Sequence, residues 1–242
     1  KPTAIAFAIS LELSLDEMKE RLHLLEKRIT SAKEKAGRIS DNIKLIWVSK
    51  FHTREAVENA ISLGATEFGE NRVQEAESKF SVKRDGIRCH IIGPVQSNKL
   101  KKAALVADCI HSISSVEALE KLEKVCAENE KVLEILFQVN AGEEETKSGL
   151  DVSFAEEFLQ SLEEKEFPHL KFRGLMTIGK NTGDAEDSRE CFAFLRNLQQ
   201  QFLKKGGVFS EFTELSMGMT LDLEVAIEEG ATMIRVGTAL FG

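Results

Sequence analysis

Residues 45–80, LIWVSKFHTREAVENAISLGATEFGENRVQEAESKF, hold two copies of one pattern. Leu45-Ile46-Trp47-Val48 is a short apolar run of strand type, and 54–63 follows as a helix; 66–68 and Val73–Phe80 repeat the pair. A strand that leads through a helix to another strand returns to the same end of the sheet, so the strands run parallel with right-handed crossovers. No GxGxxG follows the first strand, and its helix opens at Thr53-Arg54 instead, which disfavours an open, doubly wound dinucleotide-binding sheet.

Downstream the alternation continues. Strand-type 89–92 precedes helical 97–105, and 109–112 precedes 116–128. The strongest strand, 132–139, precedes 154–162; 172–176 precedes 186–203; 214–216 precedes 221–228; and 233–236 closes the series. Eight such units are the number that closes a TIM (β/α)8 barrel of the α/β class. Upstream, Leu15, Met18, Leu22, Leu25 and Ile29 recur at intervals of three and four behind Ser14, Asp16 and Glu17, which predicts a capped amphipathic helix over 14–36. That helix is expected to cover a barrel end or make a dimer contact. With three prolines and no low-complexity run, 14–242 reads as one domain preceded by an extension, 1–13.

At 242 residues and 42% hydrophobic content, the chain can bury about three-quarters of its unfolded surface without disulfides or metals. The net charge of −8 argues against a dedicated nucleic-acid binder. Cys89, Cys109, Cys126 and Cys191 form no CxxC pair and have no histidine at zinc-ligand spacing, so they read as reduced core thiols rather than metal ligands. No run has the length of a membrane span, and the opening 1–9 lacks the pattern of a secretory signal; a soluble, cytoplasmic protein is expected.

Barrel active sites lie at the carboxyl ends of the strands. Those ends carry Ser49-Lys50-Phe51-His52, Gly69-Glu70-Asn71-Arg72, Gly93 through Lys99, Asn140, Thr177-Ile178-Gly179, Ser216 through Thr220, and Arg235 through Thr238. Glycines and hydroxyl residues after strands seven and eight, where barrels often bind phosphate, offer backbone N–H groups to an anion, although Ser216 and Thr238 could also be plain caps. Lys50 follows an apolar strand and should project into the mouth, and closure of the barrel brings it beside Arg235. A desolvated lysine near another cation is a competent amine nucleophile towards aldehydes. A salt bridge to Glu70 or a solvated rim position is the alternative.

Val48-Ser49-Lys50, Phe68-Gly69-Glu70-Asn71, His90-Ile91-Ile92-Gly93 with Gln96-Ser97-Asn98-Lys99, Gly174-Leu175-Met176-Thr177, Ser216-Met217-Gly218-Met219 with Asp222, and Arg235-Val236-Gly237-Thr238 with Phe241-Gly242 together resemble the pyridoxal phosphate homeostasis proteins, in order from about residue 14 to the end. The resemblance implies a barrel like the N-terminal domain of alanine racemase, with pyridoxal 5′-phosphate held as a Schiff base on Lys50. It further implies a phosphate cradle from Ser216 and the backbones of Met217, Gly218, Gly237 and Thr238, with Arg235 at the pyridine nitrogen and Asn71 and Met176 lining the ring. Guanidinium donates and does not accept, so a ring nitrogen bonded to it is unprotonated and a poorer electron sink, which suits storage.

A racemase needs two bases on opposite faces of the substrate carbon. In the alanine racemases these are a lysine and a tyrosine from a second domain. This sequence contains no tyrosine, and Ile178 stands where those enzymes carry a histidine. His52, His90 or His111 could serve as the missing base but read more simply as structural residues. The expectation is therefore a carrier that stores, buffers and delivers the cofactor to recipient enzymes in vitamin B6 homeostasis, as a monomer or weak homodimer. An amino-acid racemase, or a phosphosugar aldolase or isomerase using Lys50 and the same phosphate site, are the alternatives. Lys99, Lys101 and Lys102 read as a solvated helix face or a docking surface, and 143–149 as a loop over the site.

Overall fold

Every strand pairs in parallel with its neighbour in sequence, and the last strand pairs with the first. The computed structural model describes residues 13–142 and 148–242. Its strands are β1 (Lys44–Val48), β2 (Glu67–Glu70), β3 (Arg88–Ile91), β4 (Cys109–Ile113), β5 (Leu133–Gln138), β6 (Leu170–Met176), β7 (Glu214–Ser216) and β8 (Met233–Val236). The helices are α1 (Leu15–Lys35), α2 (Arg54–Ser62), α3 (Val73–Phe80), α4 (Leu100–Val106), α5 (Val116–Glu128), α6 (Val152–Gln160), α7 (Arg189–Lys205), α8 (Leu223–Glu228) and α9 (Thr238–Phe241). The (β/α)8 barrel with its preceding helix is thus observed. No helix among the described residues is long and apolar enough to cross a membrane. The expected extension, apart from Leu13, and most of the expected loop at 143–149 lie outside the described residues.

Two-residue periodicity sorts each strand into an outer and an inner face. Trp47, Phe68, Ile91, Ile135, Phe137, Leu175, Leu215, Ile234 and Val236 face the helices and join the large outer core. Ile46, Cys109, Leu136, Met176 and Met233 meet in a second, smaller cluster inside the barrel. The inner face is polar elsewhere, with His90, His111, Ser216 and Arg235 all buried. At the opposite end from the mouth, Lys44 and Glu214 pair at 2.5 Å. β1 and β8 register Ile46 against Arg235, and Lys50 shares the parity of Ile46 two inward positions further on, so both cations turn to the barrel interior at adjacent strands.

Element boundaries differ from the expected ones where local side-chain bonds intervene. The helix expected from 97 begins with a 3-10 turn, Ser97–Lys99, and that expected from 186 follows another, Ala185–Ser188. α8 starts at Leu223 rather than 221 because Asp222 Oδ1 accepts the Met219 N–H at 2.6 Å, closing a turn. α1 carries the expected capping box of Ser14 and Glu17, and its buried face packs on α8 and α9. Arg28 grips Glu224 through two bonds of 2.6 and 2.8 Å and donates to the Thr220 carbonyl, while Arg21 donates to that of Thr238. The N-terminal helix therefore ties down the two loops that the sequence marks as anion-binding.

Candidate cofactor site

A cavity of about 710 Å³ opens at the carboxyl ends of the strands. Its walls include Lys50 and Val48 from the end of β1, Asn71 after β2, Gln138 of β5, Ile178 to Asn181 after β6, Met219 to Asp222 after β7, and Arg235, Gly237 and Thr238 from β8 and its turn. Five of the nine expected site residues, Lys50, Asn71, Arg235, Gly237 and Thr238, thus share one cavity. Lys50 is half-buried there, its Nζ 5.9 Å from the centre of the Phe51 ring.

The other four do not form its walls. Met176 belongs to the small apolar cluster inside the barrel. The Ser216 hydroxyl is fully buried, accepts a bond from Arg235 NH1 at 2.8 Å and lies 2.9 Å from His111 Nδ1. The Met217 N–H is committed to the Met233 carbonyl, and the Gly218 carbonyl accepts from the Arg235 N–H. β7 is three residues long, and the chain needs three more to reach the cavity wall at Met219 to Asp222, so the Ser216 hydroxyl and the Met217 N–H are both engaged within the barrel. Gly218 adopts φ +91°, and a Cβ there would sit 2.5 Å from that of Ala226, so its glycine serves this turn.

Arg235 is 4% exposed. Burial lowers its pKa to about 10, with Asp222 acting against that shift, so it stays protonated at neutral pH. NH1 donates to Ser216 and NH2 to the Thr177 carbonyl at 2.8 Å. His52 stacks on Phe241 at the rim, with ring centres 4.7 Å apart, while His90 and His111 lie below the cavity walls. All four cysteines are buried and free, as expected of core thiols.

Lys50 does not pair with Glu70. That carboxylate faces outward from β2, where Lys79 of α3 meets it at 2.8 Å and the Ser49 hydroxyl donates to it at 2.7 Å. Lys79 also donates to the Ser49 carbonyl, and Glu75 accepts the Phe51 N–H at 2.8 Å. Three side chains of β2 and α3 therefore hold the residues on both sides of Lys50, Lys79 and Glu75 through the backbone and Glu70 through the Ser49 hydroxyl. The sequence held no sign of this pairing, because it depends on which face of α3 meets the strand. Burial raises the Glu70 carboxyl above its ordinary range despite the bonds from Lys79 and Ser49. Lys79→Met should cost about 3 kcal/mol at neutral pH, since it strands a buried carboxylate. Folded Glu70 holds its proton more tightly than the unfolded chain does, so stability falls as pH rises from the unfolded value through the raised folded one. The variant's deficit should accordingly shrink towards acid pH. Thermal melts from mildly acidic to neutral pH measure both effects, and a pH-independent deficit would contradict them.

Lys102 pairs with Glu77 at 3.3 Å, Lys101 is exposed, and Lys99 ends the 3-10 turn; none of the three lines the cavity.

A barrel whose first and last strands bring a lysine and a buried arginine into one mouth has relatives. The chain belongs to the family of the alanine racemase N-terminal domain, whose model matches residues 21–242. Alanine racemase of Clostridium difficile 630 shares the fold at a TM-score of 0.73 and 12% identity, covering 94% of this chain and 56% of that one. Within the family, the chain belongs with the pyridoxal phosphate homeostasis proteins. It is 38% identical to that of Aquifex aeolicus (strain VF5) over 224 residues, covering 92% of this chain and 96% of the relative. To that of Escherichia coli (strain K12) it is 32% identical over 232 residues, covering 94% and 97%. PipY of Synechococcus elongatus PCC7942, solved with PLP bound, superposes with a TM-score of 0.75 at 34% identity over 93% of this chain and all of that one.

Proposed function

We propose that this protein binds pyridoxal 5′-phosphate through Lys50 and acts in vitamin B6 homeostasis, holding the cofactor and releasing it to recipient enzymes without a catalytic cycle of its own. The observation that carries this is the convergence of Lys50 and Arg235 in one cavity across the β1–β8 seam. The names of the relatives and the PLP-bound neighbour support it.

The residues present fit the group. Gln138 Oε1, in the cavity wall, is buried without a hydrogen-bond partner among the described residues, as an acceptor awaiting a ligand would be. A Cβ on Gly237 would lie 3.1 Å from the Val48 carbonyl oxygen, so glycine keeps the backbone close at the seam. The cofactor would supply an aldehyde, and Lys50 is the residue that would offer it an amine. Arg235 would donate to the pyridine nitrogen, Asn71 would contact the ring, and Gly237 and Thr238 with Thr220 would receive the phosphate. Because Arg235 remains a cationic donor, it disfavours protonation of the ring nitrogen and with it the electron-sink chemistry that racemisation uses.

The test mixes the loaded protein with an apo-enzyme that requires the cofactor, alongside racemase assays on alanine and serine. Activation of the recipient without racemisation is the expected result. Robust racemisation lost in Lys50→Ala would overturn the carrier assignment.

A further inference from the structure

Beneath the cavity, five polar side chains from five strands run in a line that hydrophobic packing does not explain. Glu67 of β2 lies 2.5 Å from His90 Nε2; His90 Nδ1 lies 2.9 Å from His111 Nε2; His111 Nδ1 lies 2.9 Å from Ser216 Oγ; and Arg235 NH1 reaches the same Oγ at 2.8 Å. His90, His111, Ser216 and Arg235 are each at most 4% exposed.

The chemistry of the two ends sets the direction of the line. Arginine only donates, so Ser216 accepts from Arg235. At the other end, burial pushes the Glu67 carboxyl up, but the hydrogen bond from His90, with the charges of Arg88 and Lys44, outweighs it and holds the carboxyl below its ordinary range. Glu67 is therefore an anion that only accepts, and His90 Nε2 carries a hydrogen. Burial, with the charge of the neighbouring Arg235, disfavours the charged form of His111 and holds its pKa well below the ordinary imidazole range. Where each imidazole carries one hydrogen, His90 Nδ1 is bare and accepts from His111 Nε2–H. His111 Nδ1 is then bare and accepts from the Ser216 hydroxyl. Each hydrogen is used once, from Arg235 through Ser216, His111 and His90 to Glu67.

We propose that Glu67, His90, His111 and Ser216 are positioning residues that anchor the Arg235 guanidinium from below, so that its remaining N–H groups face the cavity and donate to an aromatic ring nitrogen. This rests on the assignment of pyridoxal phosphate to the cavity. His90, Cys109 and His111 also lie close enough to gather a metal ion. The mutual bond of the two imidazoles, the Cys109 thiol kept protonated by burial and the buried Arg235 nearby all favour the relay over a cation.

The test compares binding of pyridoxal 5′-phosphate with that of its 1-deaza analogue, in which C–H replaces the ring nitrogen. Wild type, Ser216→Ala, Ser216→Thr and His111→Asn are titrated with both. Ser216→Ala and His111→Asn should bind pyridoxal phosphate roughly ten- to a hundredfold more weakly, the scale of a hydrogen bond to a charged group. Their affinity for the analogue should be unchanged, and Ser216→Thr should restore the preference. Equal losses for both compounds, or no loss, would overturn the relay alone. A wild type that binds neither compound would overturn the assignment of the cavity and the role of Arg235 with it. Nitrogen-15 spectra of the wild-type protein without cofactor give an arm that needs no variant to fold: both imidazoles should be Nε2–H tautomers, and a hydrogen on His111 Nδ1 would contradict the relay.

Discussion

Lys50→Ala should abolish covalent capture of pyridoxal phosphate while leaving the fold intact. The wild-type protein should show an absorbance band near the visible edge that borohydride removes, and the variant should show neither the band nor a borohydride-stable adduct. The expectation rests on how the end of β1 is built. Strand parity turns residue 50 inward at the mouth, and Phe51 then takes φ +68°, a left-handed conformation that a bulky residue rarely adopts. Glu75 holds the Phe51 N–H, and Lys79 with Glu70 holds Ser49, so the turn is fixed before and after the lysine. Alanine loses the amine and disturbs none of these bonds. A melting temperature close to that of wild type would confirm that chemistry alone was lost. Lys180, the other lysine in the cavity wall among the described residues, serves as the control: Lys180→Ala should keep the band.

Gly174→Ala should prevent the protein from folding. A Cβ at that position would lie 1.8 Å from the Glu214 carbonyl oxygen and 2.7 Å from its carbonyl carbon, backbone atoms that cannot rotate away. Gly174 and Glu214 are register partners of β6 and β7. With only three residues, β7 has little length over which to spread a displacement, and it carries Glu214 for Lys44 and Ser216 for Arg235 on its inner face. A loss above about 4 kcal/mol belongs with such steric mechanisms and would consume most of the stability of an ordinary domain. Gly37→Ala gives the comparison. Gly37 also has positive φ, +67°, but nothing lies within 4 Å of its Cβ position, so only conformational strain of about 1 kcal/mol is expected. Far-ultraviolet dichroism and thermal melts separate the two. A Gly174→Ala protein that melts within a few degrees of wild type would show that β6 and β7 do not meet in this register.

The barrel is legible in the sequence because its signal is repetitive. Eight apolar runs each separated by a helical stretch leave few alternatives, and closure then makes Lys50 and Arg235 neighbours although 185 positions separate them in the chain. Parity also indicates that Ser216 points inward, but not how deep. Depth depends on strand length and tilt, and a three-residue β7 leaves Ser216 under Arg235 with the turn at Met219 to Asp222 taking the mouth position. Adjacent strand ends suggest Glu70 as a partner for Lys50, whereas its outward parity delivers it to Lys79 on α3. The His90–His111 contact is hidden for a further reason. Neither residue carries a local signature, and only the stacking of inner faces from β3 and β4 brings the rings together.

Borohydride reduction of the wild-type protein loaded with pyridoxal phosphate, followed by intact-mass measurement and peptide mapping, decides whether Lys50 is the residue that takes the cofactor. One phosphopyridoxyl group per chain, on the peptide that contains Lys50, is the predicted result. An unchanged mass, or a label on Lys180 instead, would contradict it.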